Sequence, residues 1–271
     1  MDDLFQLKGA TALITGGGGV LAGAIGFGLS KAGVRVVLAD IREENANANS
    51  SAINSTGGDA SVIVMNVLDT SSIEKACSEI LKSHSKIDIL INAAGGNMPG
   101  ATINPDQEIF DLKIEDLDKV TDLNFKGTVL PSMVVGKIMA KQNSGSILNI
   151  SSMAAMKSMT RVLGYSAAKA AVSNFTQWMA MEMGRKYGDK IRVNAIAPGF
   201  FIGDQNRALL INEDGSYTER GNLVIQNTPI GRFGEADELI GAVLYLSGRS
   251  ASFVTGVILP VDGGFNFFSG V

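Results

Sequence analysis

Tyr165 and Lys169 are the side chains of this sequence best suited to moving a proton. They stand four residues apart in GYSAAKAAVSNF, a stretch that reads as helix, so a phenol and an ammonium share one helical face. A free phenol titrates near ~10 and is a poor base at neutral pH, but a fixed neighbouring cation favours its phenolate. Such a pair can pass a proton to or from an oxygen that is becoming, or ceasing to be, a carbonyl. The same spacing also occurs in plain surface helices, and the rest of the chain has to decide between the two.

Other chemistries are poorly supplied. The one histidine, His84, lies in LKSHSK at an expected helix end, so Ser–His–Asp triads and histidine-rich zinc sites are hard to build. The acidic residues of LADIREE, KIEDLD and NEDG read as a ribose contact, a solvated helix start and a turn, and no metal site is expected. The single cysteine, Cys77, excludes an intrachain disulfide framework and fits a reducing cytoplasm. A net charge of −4 without a basic run gives no general attraction for nucleic acid. No apolar run reaches membrane-spanning length, and the acidic start MDDLFQLKGA lacks an apolar signal core, so a cytoplasmic protein is expected.

The elements that must position the pair follow from pattern. With 271 residues, 45% of them apolar, and 32 glycines, the chain suits one large α/β domain. Strands are expected at Ala12–Thr15, Arg35–Ala39, Val62–Val67, Ile87–Asn92, Ser146–Ser151, Arg192–Ala197 and Val257–Pro260. Helical spacing occupies Ala22–Ala32, Ile41–Ser55, Ser71–Ser83 and Leu117–Lys141 between them. This alternation predicts a doubly wound parallel sheet with helices on both faces. Gly96–Lys113 and Phe200–Arg232 break the alternation; both follow strands whose carboxyl ends border the expected crevice, and they read as binding loops, the second as a lid.

The first strand runs into TGGGGVLAGAIG. Glycines there let backbone amides approach a pyrophosphate, and the following helix offers its positive end. A tight strand–helix turn would look similar. The second strand ends in Asp40, a little over twenty residues on, where a carboxylate can hold both ribose hydroxyls and repel a 2′-phosphate, favouring NAD over NADP. Arg42 reads as a solvated helix start.

The glycine turn, NAAG at Asn92–Gly95, Asn124, ISS at Ile150–Ser152, Tyr165–Lys169 and PG at Pro198–Gly199 occur in the order that marks the short-chain dehydrogenase/reductase family, which the chain resembles along essentially its whole length. The resemblance implies a Rossmann fold and these roles. Tyr165 is the acid in reduction and base in oxidation, Lys169 lowers its pKa and holds the nicotinamide ribose, Ser152 bonds the reacting oxygen, and Asn124 holds a water joining Lys169 to solvent. Gly16, Gly18, Gly19, Val20, Leu21, Asp40, Asn66, Val67, Asn92, Ala93, Ala94, Gly95, Pro198 and Gly199, with Tyr165 and Lys169, would line the dinucleotide. Two family glycines are replaced by Val20 and Ala22, a family aspartate by Asn66, and a family threonine by Gly203.

Within the family, ITGGGGVLAG, NAAGGNMP, APGFF and QNRALLINEDGS look most like the D-mannonate oxidoreductase (fructuronate reductase) branch. That implies NADH-linked interconversion of D-mannonate and D-fructuronate by a homotetramer, with the helix holding FTQWMAMEM at a subunit interface. A sugar acid needs a cation for its carboxylate. Arg207 in the lid is the first candidate, Arg161 the second with Lys157 beside it, and Asn97 and Asn206 could bind hydroxyls. Gluconate 5-dehydrogenases, 3-oxoacyl reductases and an NAD(H)-sensing binding protein remain the alternatives.

Overall fold

The computed structural model describes residues 4–203 and 206–270; Asp204 and Gln205 of the expected lid lie outside them. Seven parallel strands form one sheet in the order β3-β2-β1-β4-β5-β6-β7. They are β1 Thr11–Thr15, β2 Arg35–Asp40, β3 Ala60–Val64, β4 Ile89–Asn92, β5 Gly145–Ile150, β6 Ile191–Pro198 and β7 Ile258–Val261. The helices between them are α1 Val20–Lys31, α2 Glu43–Ser55, α3 Thr70–His84, α4 Ile114–Thr121, α5 Gly127–Gln142, α6 Leu163–Tyr187, α7 Arg207–Leu210, α8 Glu219–Gln226 and α9 Ile240–Ser247.

Every residue of β1 and of β6 is buried, as inner strands of a sheet covered on both faces should be. Successive residues serve opposite cores. Ile14, Val36, Ile91 and Ile196 pack under α1 and α9, whereas Leu13, Val37, Leu90 and Val193 pack under α3, α5 and α6. Arg192, the buried charge of β6, is fully engaged. Arg192 donates to Leu246 O at 2.7 Å and to Ser247 O and Gly248 O at 3.1 Å, closing the carboxyl end of α9.

Three expectations shift. The strand expected at Val62–Val67 runs instead from Ala60 to Val64. It ends early because Asn66 Oδ1 accepts Leu68 N–H at 3.0 Å, while Ser72 Oγ takes Asn66 N–H, making a turn into α3. The helix expected over Leu117–Lys141 begins at Ile114 and contains a π turn, Asp122–Lys126, between α4 and α5. The strand expected from Ile87 starts at Ile89. The strand order reverses direction between β1 and β4, and a crevice opens there at the carboxyl ends of the strands.

Candidate active site

Thr15, at the end of β1, is buried, and its Oγ1 accepts the amides of Ala93 and Ala94 at 3.1 Å each. This holds the NAAG segment against the glycine turn. Gly16 has φ +65°, and a Cβ there would stand 2.7 Å from Ala94 Cα, so only glycine fits. Gly18 donates its N–H to Asp40 Oδ2 at 3.0 Å, and Asp40 Oδ1 accepts Arg42 N–H at 2.9 Å. The carboxylate is thereby fixed at the tip of β2, directly beside the turn. Gly19 caps α1, whose first residues are the exposed Val20 and the half-buried Leu21; the free amides of this first turn make an anion-binding end.

Asn49 of α2 completes the cradle and was not foreseen. Its amide donates to Gly17 O at 2.8 Å and Gly19 O at 3.3 Å. A Cβ on Gly23 would meet Asn49 Oδ1 at 2.6 Å, so the close helix approach is supplied at Gly23. Ala22, one of the two replacements for family glycines, is simply buried in the core. The available signal was the pairing of an asparagine-rich helix with a glycine one turn into α1.

The reacting cluster lies where β5 and α6 meet. Ser152 accepts Ala154 N–H at 3.1 Å, which fixes its hydroxyl at the mouth of the crevice. Neighbouring Ser151 is buried and shares a 2.7 Å hydrogen bond with Ser173, tying strand to helix. Lys169 is buried, donates to Ile150 O at 2.8 Å and lies 5.6 Å from the centroid of the Tyr165 ring. A Cβ on Gly95 would stand 2.6 Å from Asn124 Oδ1 and 3.3 Å from Lys169 Nζ, so the NAAG glycine, the π turn and the catalytic helix converge.

The expected electrostatics need correction. Burial raises the Tyr165 phenol above its ordinary range, and the hydrogen bond with Ser152 lowers it by less. Burial also pushes the Lys169 ammonium down to about 8. With its ammonium bonded to a main-chain carbonyl, the lysine does not dominate the phenol; desolvation does. Asn124 departs too. Its amide nitrogen donates to Gly96 O at 2.7 Å and Val120 O at 2.8 Å, and its Oδ1 accepts Gly96 N–H at 3.0 Å. The side chain is therefore committed to the loop after β4, and the main-chain carbonyl of Asn124 accepts Thr128 Oγ1 at 2.8 Å.

Asn92 is buried and donates to Ser132 Oγ and Asn149 Oδ1, both at 2.8 Å, so its side chain braces β4 against β5 instead of facing the crevice. Val67 is buried, against Gly127, and Asn66 is half-buried with its oxygen spent on the turn. Gly199, after Pro198, allows a close pass: a Cβ there would lie 2.7 Å from Asp262 Cα.

Beside Ser152 and Tyr165 opens a cavity of about 440 Å³. Asn97, Arg161, Asn206 and Arg220 line it, together with Met98, Met159, Phe200, Leu209 and Leu210, and among the described residues no Asp or Glu lines it. Asn97 donates to Thr102 Oγ1 at 2.7 Å and keeps a buried, unpartnered Oδ1. Asn206 spends its amide on Phe201 O and Gly203 N–H within its own loop. Arg207 is exposed and lies outside the lining, because α7 turns Leu209 and Leu210 toward the cavity. Lys157 is also diverted: it donates to Phe265 O at 3.3 Å and Phe268 O at 2.9 Å. Arg220 is the cation that pattern missed; the lid sequence offered three arginines, Arg207, Arg220 and Arg232, and only folding shows which faces inward. Among the described residues no group of three or more His, Cys, Asp or Glu could hold a metal ion, and no helix is long and apolar enough to cross a membrane.

A strand-order reversal capped by a glycine turn, with Ser, Tyr and Lys gathered on its rim, defines a dinucleotide-linked oxidoreductase. The chain belongs to the short-chain dehydrogenase/reductase family, whose members depend on NAD or NADP: a family model described as enoyl-(acyl carrier protein) reductase matches residues 20–266. An uncharacterized oxidoreductase of Bacillus subtilis, UxuB, is 43% identical over 98% of both chains. A crystal structure of a Haemophilus influenzae protein provisionally named D-mannonate oxidoreductase, with bound NAD, is 42% identical and superposes with a TM-score of 0.90 over 99% of both chains. A gluconate 5-dehydrogenase of Burkholderia cenocepacia, solved with NADP and tartrate, is 31% identical with a TM-score of 0.83 over 97% of this chain and 98% of that one.

Proposed function

We propose that the protein is an NAD-linked sugar-acid oxidoreductase that interconverts D-mannonate and D-fructuronate. One observation carries this reading: the cavity on which Ser152 and Tyr165 open presents two arginines and several amide side chains, and among the described residues no carboxylate. Such a lining suits a polyhydroxylated anion. The bound NAD of the Haemophilus influenzae protein and the tartrate of the gluconate 5-dehydrogenase point the same way. Asp40 favours NAD, since a 2′-phosphate would meet a fixed carboxylate.

The geometry fits a dinucleotide: Gly16 and Gly18 leave room that a Cβ would fill, and the open first turn of α1 suits a pyrophosphate. When bound, the nicotinamide supplies or accepts the hydride. The residues of the chain manage the rest. Ser152 donates a hydrogen bond to the substrate oxygen and holds it beside the phenol. Tyr165, kept protonated by burial, delivers its proton to that oxygen during reduction and takes it back during oxidation. Lys169 stands where it can hold ribose hydroxyls and stabilise the phenolate as it forms. Asn97 lines the same cavity and adds an amide side chain to its wall.

Met98, Met159, Phe200, Leu209 and Leu210 form an apolar wall that favours a second reading, reduction of a 3-oxoacyl thioester. Following NADH absorbance with D-fructuronate, 5-keto-D-gluconate and acetoacetyl thioester separates the two. Oxidation of NADH by the thioester alone would sink the sugar-acid reading. We also propose a homotetramer working in the cytoplasm, supported by apolar side chains left exposed on α6 (Trp178, Met181) and near the C-terminus (Phe253, Phe267).

A further inference from the structure

We propose that Arg220, on helix α8 of the lid, is the specificity residue that takes the substrate's carboxylate, with Arg161 as its fixed neighbour on the cavity wall. This rests on the sugar-acid reading and adds the group that makes the acid preferred over its neutral counterpart.

Arg161 is immobilised. It has φ +78°; its Nε donates to Ile103 O at 2.8 Å, its Nη2 donates to Asn104 Oδ1 at 2.9 Å, and its carbonyl accepts Ile103 N–H at 3.0 Å. All of these partners are neutral. Arg220 is half-buried and, among the described residues, donates a long 3.3 Å hydrogen bond to Thr160 Oγ1, another neutral group, beside Arg161 in the chain. Neither arginine takes part in any ion pair among the described residues. The two like charges act on each other: Arg220 is lowered from its ordinary value by burial and then by the charge of Arg161. Two neighbouring guanidiniums without a counter-charge among the described residues are unfavourable until an anion enters, and a carboxylate matches the planar fork that Arg220 presents.

The placement suits the chemistry. In D-fructuronate the ketone and the carboxylate lie near opposite ends of a six-carbon chain. With the ketone oxygen on Ser152 and Tyr165, the carboxylate must reach the far side of the cavity. Helix α8 packs through Val224 on a small lid cluster with Leu210 and Phe233, separate from the two sheet cores. An anion held by Arg220 and Arg161 therefore also joins this unit to the loop preceding α6.

D-Fructose is D-fructuronate with its carboxylate replaced by a hydroxymethyl group, so the pair reads the charge alone. Wild type should favour D-fructuronate strongly, and R220Q should shrink that preference at least ~30-fold, mainly through KM for the acid; R220K should recover part of it. Independently of turnover, D-mannonate added to the NADH complex should slow amide exchange in Glu219–Gln226 of wild type but not of R220Q, and D-mannitol should do neither. An R220Q enzyme that keeps its KM for D-fructuronate, or α8 protection that persists without Arg220, would overturn the assignment. If wild type turns over only 5-keto-D-gluconate, the substrate reading falls, and the same Arg220 comparison with that acid and L-sorbose decides the inference. If it turns over no sugar acid, both fall.

Discussion

At Tyr165 burial and a hydrogen bond from Ser152 oppose each other, and burial is the larger. The phenol is therefore an acid at neutral pH, the form that reduction consumes. NADH-driven reduction should persist into alkaline solution, whereas alcohol oxidation should climb as pH rises; pH profiles of kcat in the two directions check this. Tyr165→Phe should lower kcat about 10³-fold while the Kd for NADH, read by fluorescence, changes little. Near-normal turnover in that variant would remove the acid from the mechanism. Lys169 gives a stability signature. Its ammonium titrates at about 8 when folded and at its ordinary 10.5 when unfolded. Between those values the unfolded chain holds one more proton, so unfolding free energy rises with pH, by roughly 3 kcal/mol across the window, and does not change on this account below it. Denaturant melts of the protein without dinucleotide should show the advantage over Lys169→Met growing from pH 8 to 10.5. A constant difference would mean that the buried amine keeps its proton.

Among the elements, the turn after β1 depends on a helix two elements away. Asn49→Ala removes the donor to Gly17 O and Gly19 O, worth about 1 kcal/mol, so the Kd for NADH should rise about 5-fold with kcat nearly unchanged. An unaltered Kd would show that the glycines hold their shape alone. All seven strands were legible because strands of a parallel sheet are written as short, mostly apolar, β-branched-rich runs bounded by turn residues. Tyr165, Lys169, Ser152, Asp40 and the glycine turn were legible because their spacing along one helix or strand end carries the geometry. What pattern could not give depends on contacts distant in sequence. The π turn at Asp122–Lys126 arises because Asn124 reaches across to Gly96, which no periodicity records. The choice between Arg207 and Arg220 depends on how two short lid helices are turned, and composition is the same for both.

For the whole molecule, the surface of α6 divides. Phe175, Met179 and Ala180 face the core, while Trp178 and Met181 remain 48% and 51% exposed on the other side. An apolar face of that kind is unfavourable in water, and a second copy of the helix is the economical cover. Trp178→Glu with Met181→Glu should lower the mass measured by light scattering to that of a smaller assembly, with the circular dichroism of a folded chain. A wild type already monomeric at micromolar concentration would refute the assembly.

Lys157 leaves a practical consequence. Its ammonium grips Phe265 O and Phe268 O and sits over the Phe265 ring at 5.0 Å, so the stretch between Ser152 and Tyr165 is moored to the last residues of the chain. Strain applied at Phe265–Phe268 would therefore reach Ser152 and Tyr165 through that mooring.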